Sequence, residues 1–110
     1  MNEIELERLN ELNERYGPTN LTGFRIVDDE TSLETVLKHI ETDLKILNSS
    51  EVKYKHVYRI IARCDSIDIC TVDNRTIISY FFIGEGEFML KFIKGDLKIL
   101  CEEFDVHFEE

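Results

Sequence analysis

The spacing of apolar residues predicts a first helix over residues 2–16. Apolar side chains recur there every three or four positions, which is the pattern of one face of an amphipathic helix. Asn2 is placed to cap the first turn, with Glu5 three residues further on, as in a capping box. Gly17-Pro18 is expected to end the helix.

A second helix is predicted over residues 31–47, where the pattern is clearest. The sequence T-S-L-E matches a capping box in which Thr31 is the N-cap and Glu34 its partner. Apolar residues follow at steps of three and four along one face, namely Leu33, Val36, Leu37, Ile40, Leu44 and Leu47. A third helix is predicted over residues 96–104, with Asp96 as its cap.

The segments between these helices have the composition of strands. Residues 20–29 are expected to form a strand with Gly23 at a possible bulge. Residues 52–93 predict a meander with strands at 58–64, 67–72, 75–83 and 87–93. Its turns are expected at Asp65-Ser66, Asp73-Asn74 and Gly84-Glu85-Gly86.

Two parts of this meander have further consequences. The strand at 75–83 is apolar on both sides, which is typical of a strand at the centre of a sheet. Residues 51–57 fit either a helix or a strand, and the Val, Ile and Tyr content of the segment favours the strand. The last residues of the chain, FDVHFEE, are expected to be extended.

Together these elements predict a single α+β domain over residues 1–110. Its sheet is expected to be mostly antiparallel, with four or five strands, and to be packed by two or three helices. A chain of 110 residues with 43% apolar residues can bury a core without a metal or a disulfide.

Charge is the most informative part of the composition. Twenty-three acidic residues oppose thirteen basic ones, so the net charge is −10. This excess disfavours direct binding to nucleic acid or to anionic lipid, and it favours capture of a protein with a basic surface. A negative charge also keeps a protein soluble, so the excess has a simple alternative explanation.

The acidic residues cluster at two places that are candidates for binding such a partner. They are Asp28, Asp29 and Glu30 after the first strand, and Glu102, Glu103, Asp105 and Glu109 near the end of the chain. Repeated negative charge can imitate a nucleic-acid backbone. The sequence therefore suggests a non-enzymatic, stoichiometric inhibitor, immunity factor or phage-type antagonist of a basic, nucleic-acid-handling protein.

A stripe of basic residues suggests the alternatives. Lys53, Lys55, Arg59 and Arg63 are expected to share a face, where they could bind a small anion or a nucleotide as a regulatory domain does. They could equally pair with internal acids, since the predicted turn places Arg63 opposite Asp68. A homodimer seam, or a dimeric chaperone or assembly subunit, is a further possibility.

No recognisable motif indicates catalysis or a cofactor. There is no G-x-S-x-G sequence, phosphate loop or dinucleotide fingerprint, and no ligand spacing for a metal. Three cysteines without a Cys-x-x-Cys pair suggest reduced thiols in a cytoplasmic protein. The longest apolar run, 80–83, is far shorter than the roughly 20 residues of a membrane helix. We therefore expect no enzyme activity, no cofactor, no metal and no membrane contact.

Overall fold

The computed structural model describes residues 2–17, 21–84 and 86–110. The elements follow one another as α1 (Glu3–Tyr16), β1 (Leu21–Val27), α2 (Leu33–Asn48), a 3-10 turn (Lys53–Lys55), β2 (Val57–Ala62), β3 (Ser66–Thr71), β4 (Ile77–Phe82), α3 (Gly86–Glu103) and β5 (His107–Glu109). The predicted α+β domain is confirmed, and residues 107–109 are extended as expected.

The five strands form one mixed sheet in the order β1-β4-β3-β2-β5. The β4–β3 and β3–β2 pairs are antiparallel, while β1–β4 and β2–β5 are parallel. The prediction of a mostly antiparallel sheet is therefore only partly right. The chain between the parallel partners β1 and β4 includes α2, β2 and β3, and β5 reaches its edge of the sheet only after α3. Local turn signals do not reveal such long connections.

Helices cover both faces of this sheet. We call the face packed by α1 the α1 face, and it includes Ile61, Cys70 and Ile77 together with Tyr16 of the helix. The opposite face, the α2–α3 face, holds the larger apolar core, whose fully buried members include Ile40, Leu44, Ile60, Ile67, Ile69, Ile93 and Leu97. As predicted, the strand at 77–82 is central, and all of its residues except Ile78 are buried.

The start of α1 is as predicted, and the start of α2 is not. Asn2 accepts a hydrogen bond from the Glu5 backbone N–H at 2.9 Å. At α2, however, the cap is Ser32, which accepts from the Thr35 N–H at 3.1 Å. Thr31 lies one residue outside the helix, because its N–H and its hydroxyl both donate to the Asp28 carboxylate.

Two breaks were predicted from glycine, the end of α1 at Gly17-Pro18 and a turn at Gly84-Glu85-Gly86, and each lies partly outside the described residues. Gly17 ends α1 with φ 87°, and its N–H donates to the carbonyl of Asn13 at 2.9 Å. Pro18 and Glu85 lie outside the described residues. Gly84 has φ 70°, but Gly86 is already the first residue of α3 rather than part of a hairpin turn.

The predicted strand at 87–93 is wrong, since these residues form the first half of α3. Asp96 is accordingly not a cap but lies in the middle of an 18-residue helix that starts ten residues earlier than expected. The apolar residues of this segment follow helical spacing on two different sides of the helix. Read without the structure, two apolar sides close together resemble a buried strand.

The two hairpin turns also differ from their predictions. The Arg63 N–H donates to the Ser66 carbonyl at 2.8 Å, so the β2–β3 turn is residues 64–65 and not 65–66. Asp68 therefore pairs with Ile61 instead of Arg63. The β3–β4 connection spans residues 72–76 rather than two residues, with Asn74 at φ 56°.

Residues 51–57 are neither the predicted strand nor a continuous helix. Lys53–Lys55 form a single 3-10 turn, and β2 begins at Val57. No helix of the described residues is both long enough and apolar enough to cross a membrane.

Candidate functional site

The most coherent charged surface lies on α1. Leu12 is fully buried against the sheet, and the opposite side of the helix presents Glu3, Glu7 and Glu14, all exposed. Their spacing of four and seven residues stacks them on one side of a helix, with Glu11 beside them. We call Glu3, Glu7, Glu11 and Glu14 the acidic side of α1.

The two arginines of α1 reach carboxylates outside the helix. Arg8 approaches Asp65 at 2.5 Å and lies over the ring of Phe81, 4.9 Å from its centroid, although it also reaches Glu11 at 3.2 Å. Arg15 approaches Asp68 at 3.2 Å. Among the described residues, no ion-pair partner lies within 4 Å of Glu3, Glu7 or Glu14.

Two apolar residues lie beside these carboxylates. Ile4 and Leu6 are 47% and 52% exposed. An exposed aliphatic residue surrounded by acids can contact a partner while the acids orient it.

A buried carboxylate fastens the other side of α1 to the sheet. Asp68 is fully buried on the α1 face and accepts from Tyr16 at 2.6 Å and from Ser79 at 2.7 Å. Arg15 and Arg63 donate to the same carboxylate at 3.2 and 3.3 Å. Burial, followed by the hydrogen bond to Asp68 and its charge, raises the pKa of Tyr16 above its usual range, so Tyr16 acts here as a neutral donor.

A second buried carboxylate lies on the α2–α3 face. Asp43 of α2 accepts a short hydrogen bond from the hydroxyl of Tyr80 and another from Arg25 at 3.2 Å. Burial and the adjacent Asp43 raise the pKa of Tyr80. This cluster and the Asp68 cluster are internally satisfied, which suits a structural role better than catalysis.

These contacts are part of a general pattern in which each arginine pairs with a carboxylate of the same chain. Each of the six arginines of the chain lies 3.9 Å or less from a carboxylate, namely Arg8, Arg15, Arg25, Arg59, Arg63 and Arg75. The surplus that remains at the surface is therefore largely carboxylate.

The acidic residues predicted to bind a partner do not form one surface. Asp28, Asp29 and Glu30 follow β1, at the end of the sheet where the parallel strand β4 also stops. The 18 residues of α3 return the chain by about 27 Å, which places Glu102 and Glu103 near the opposite end.

Several members of the two predicted clusters also have internal partners. Asp28 accepts from the backbone of Glu30 and Thr31, which shapes the turn into α2. Glu109 pairs with Arg59 at 3.4 Å and approaches His107 at 3.5 Å. Glu102, Glu103 and Asp105 are exposed.

The basic residues at 53–63 do not form one stripe. Lys53 and Lys55 are exposed on the 3-10 turn, which precedes the strand. Arg59 and Arg63 lie on the α1 face and bind Glu109 and Asp68. The predicted contact between Arg63 and Asp68 is present, although the predicted register was wrong by two residues.

Sequence reasoning missed the acidic side of α1. The first fifteen residues sum to only −3, because the two arginines are counted with the five glutamates. A helical projection would have separated them, since Arg8 and Arg15 lie on the Leu12 side. No group of three or more His, Cys, Asp or Glu side chains in the described ranges is placed to hold a metal.

Comparison of the chain with protein-family models, with curated proteins and with solved structures found no match.

Proposed function

We propose that this protein is a small, non-enzymatic binding protein that engages a basic, nucleic-acid-handling protein. It would act stoichiometrically, as an inhibitor, an immunity factor or a phage-type antagonist. The observation that supports this proposal most directly is the separation of charge across α1, with arginines directed at the sheet and glutamates directed at solvent.

The stability of the protein explains only part of this arrangement, since the helix N-terminus favours Glu3 and Arg8 pairs with Glu11. Like charges three or four residues apart on a helix destabilise it, by roughly 0.2–0.5 kcal/mol per pair. Glu3, Glu7, Glu11 and Glu14 form such a series. A row of carboxylates that costs stability is more readily explained by a partner that neutralises it.

The row has a suitable size for contact with another protein. From Glu3 to Glu14 it extends for about 16 Å along the helix axis. Complementary charge raises association rates by about 10- to 1,000-fold over those of an uncharged surface, and salt weakens the effect. Ile4 and Leu6 supply apolar contact area beside the row.

The proposal is tested with two charge-reversal variants of equal net charge. Glu7→Lys alters the acidic side of α1, and Glu51→Lys is the matched control at an exposed position elsewhere. Proteins from the native cell or its invader are captured on each variant, and the captured protein is purified for kinetic measurements.

We expect a basic, nucleic-acid-binding protein that the control retains and the α1 variant loses. Its association rate should fall steeply as salt is raised. Equal capture by both variants, or a captured protein without a basic surface, would contradict the proposal.

A further inference from the structure

The helix α3 has two apolar sides, and only one of them packs on the sheet. The inner side consists of buried residues, namely Leu90, Ile93, Leu97, Leu100 and Cys101. The outer side exposes Phe88, Phe92 and Ile99, at 60%, 62% and 56%. Large apolar residues exposed in a row on one helix are a common mark of an interaction surface.

The outer residues follow the spacing of a helix–helix seam. Phe88, Phe92, Gly95 and Ile99 are separated by four, three and four residues, which is the alternation of d and a positions in a heptad. Phe88 and Phe92 already contact each other edge to face, with 4.9 Å between ring centroids. We call these four residues the outer stripe of α3.

Gly95, at the centre of the outer stripe, has no role in the fold of one chain. It lies inside a helix, where glycine costs about 0.5–1 kcal/mol relative to alanine. Its φ is not in the left-handed region, and an added Cβ would meet no atom within 4 Å. A glycine at this point does leave room for the backbone of a second helix.

The charges beside the outer stripe are arranged for a second copy of α3 in the parallel orientation. Lys91 and Lys98 follow one flank, and Asp96 and Glu103 follow the other. In a parallel pair, a g residue of one helix meets the e residue five positions later on its partner. Lys91 would meet Asp96 of the second copy, and Lys98 would meet Glu103, twice in each dimer.

An antiparallel pair would bring like charges together, because each flank then faces the same flank of its partner. The parallel arrangement is favoured further by α2, which adds Glu34 and Glu41 to the acidic flank. These residues line a groove of about 280 Å³ between α2 and α3, together with Asp96, Glu103 and one cation, Lys38, which pairs with Glu34 at 3.7 Å. An incoming lysine therefore enters a groove whose charge is mainly negative.

We propose that the outer stripe of α3 is the interface of a parallel, two-fold symmetric homodimer. The flanking charges select a second copy of this chain over an unrelated helix, since both halves of the complementary pattern are present on α3 itself. The proposal does not depend on the function proposed above. In each copy α1 packs on the opposite face of the sheet from α3, although Ile4 and Glu7 of α1 line the same cavity as Phe88 of the outer stripe.

The oligomeric state is measured by sedimentation over a concentration series. The wild-type protein should dimerise, and Phe92→Glu should raise the dimer Kd by at least about tenfold. Ile46→Glu is the matched control, because Ile46 is 64% exposed on α2 and lies outside the stripe. Both changed side chains are exposed, and circular dichroism checks that both variants remain folded.

Charge reversal and cross-linking test the orientation. Lys98→Glu should weaken the dimer, and adding Glu103→Lys in the same chain should restore it. Phe88→Cys in a Cys64→Ser background should form a disulfide-linked dimer on mild oxidation, because only the parallel orientation places the two copies of position 88 together.

Several results would overturn the proposal. A wild-type protein that is monomeric at every concentration, or one that binds an unrelated helix at this surface instead, is one of them. A dimer unaffected by Phe92→Glu is another, and a dimer that fails to cross-link through position 88 would exclude the parallel arrangement.

Discussion

The two faces of the sheet are covered by helices that are held in different ways. On the α2–α3 face, two helices bury a continuous apolar core against β2, β3 and β4. On the α1 face, Leu12 is the only fully buried residue of the helix. Polar contacts add to this attachment, since Arg8, Arg15 and Tyr16 all bind carboxylates of the sheet and its turns, and Tyr16 also packs against the small apolar cluster of this face.

This difference shows how an acidic helix can be kept on a negatively charged protein. Apolar burial requires a wide apolar side, of the kind that α2 has and α1 lacks. Charge-assisted hydrogen bonds require only a few side chains, and each is stronger than a neutral one. Arg8, Arg15 and Tyr16 attach α1 to the sheet through the side of the helix that faces it. The solvent-facing side of α1 can therefore consist of glutamates.

The buried carboxylates of the two faces should differ in their importance for stability. Asp68→Ala leaves Tyr16, Ser79 and two arginines without their acceptor, and we expect it to lower the free energy of unfolding by about 3–5 kcal/mol. Asp43→Ala should cost less, about 1–3 kcal/mol, because the Arg25 side chain is 50% exposed and can return to water. Urea unfolding measures both.

A matched pair of conservative variants separates charge from packing at these sites. Asp68→Asn and Asp43→Asn preserve shape and remove the negative charge, and Asp68→Asn should recover little of the stability that Asp68→Ala loses. If the Asp43 variants were the more damaging ones, the polar attachment of α1 would not be what distinguishes the two faces.

The polar attachment of α1 should also allow this helix to open locally. Cys70 lies in the sheet beneath α1, and Cys101 is a buried residue on the inner side of α3, in the apolar core of the opposite face. In a Cys64→Ser background, Leu12→Ala should speed the labelling of Cys70 by a thiol reagent roughly 30-fold, if the lost burial is about 2 kcal/mol. The labelling of Cys101 should change much less, since it requires wider unfolding.

Leu97→Ala is the control for this experiment, because Leu97 is also fully buried and belongs to the opposite face. It should speed the labelling of Cys101. If both thiols responded equally to both variants, α1 would open only with the whole domain.

The smallest expected difference between the faces concerns alkaline pH. Burial raises the pKa of Cys101 from 9.0 to about 11. Since the folded thiol holds its proton more tightly than the unfolded one, its contribution is complete below pH 9 and is lost as pH rises towards 11. The slope is at most about 1.4 kcal/mol per pH unit.

Urea unfolding from about pH 8 to about pH 11, which spans the titration of the Cys101 thiol, measures this dependence of stability on pH. Cys101→Ala should flatten the slope. Burial also raises the pKa of Cys70, but the hydrogen bond with Tyr16 and the charge of Arg59 oppose it, so Cys70→Ala should flatten the slope less. An unchanged slope in Cys101→Ala would show that other groups, such as Tyr16 and Tyr80, are responsible.

The sequence alone determined the elements whose signals are local. The α1 cap at Asn2, the apolar face of α2 and the interior place of residues 77–82 in the sheet depend on neighbours within a few residues, and all were predicted, although α2 begins two residues later than expected. The contact of Arg63 with Asp68 was also predicted despite the wrong register. A shift of two residues keeps every side chain on the same face of a sheet. The prediction therefore placed Arg63 and Asp68 on the correct face, although it gave the wrong cross-strand partner.

Only the tertiary structure decided which side of each helix faces solvent. Residues 87–93 were predicted as a strand because the outer stripe makes this part of α3 apolar on two sides. The spacing of apolar residues does not show which of the two sides is buried. β1 pairs in parallel with β4, and β5 pairs in parallel with β2. Both pairings depend on crossover connections, which local turn signals do not reveal. On α1, a helical projection places the arginines on the Leu12 side, but their carboxylate partners lie more than fifty residues further along the chain, and only the fold brings them together.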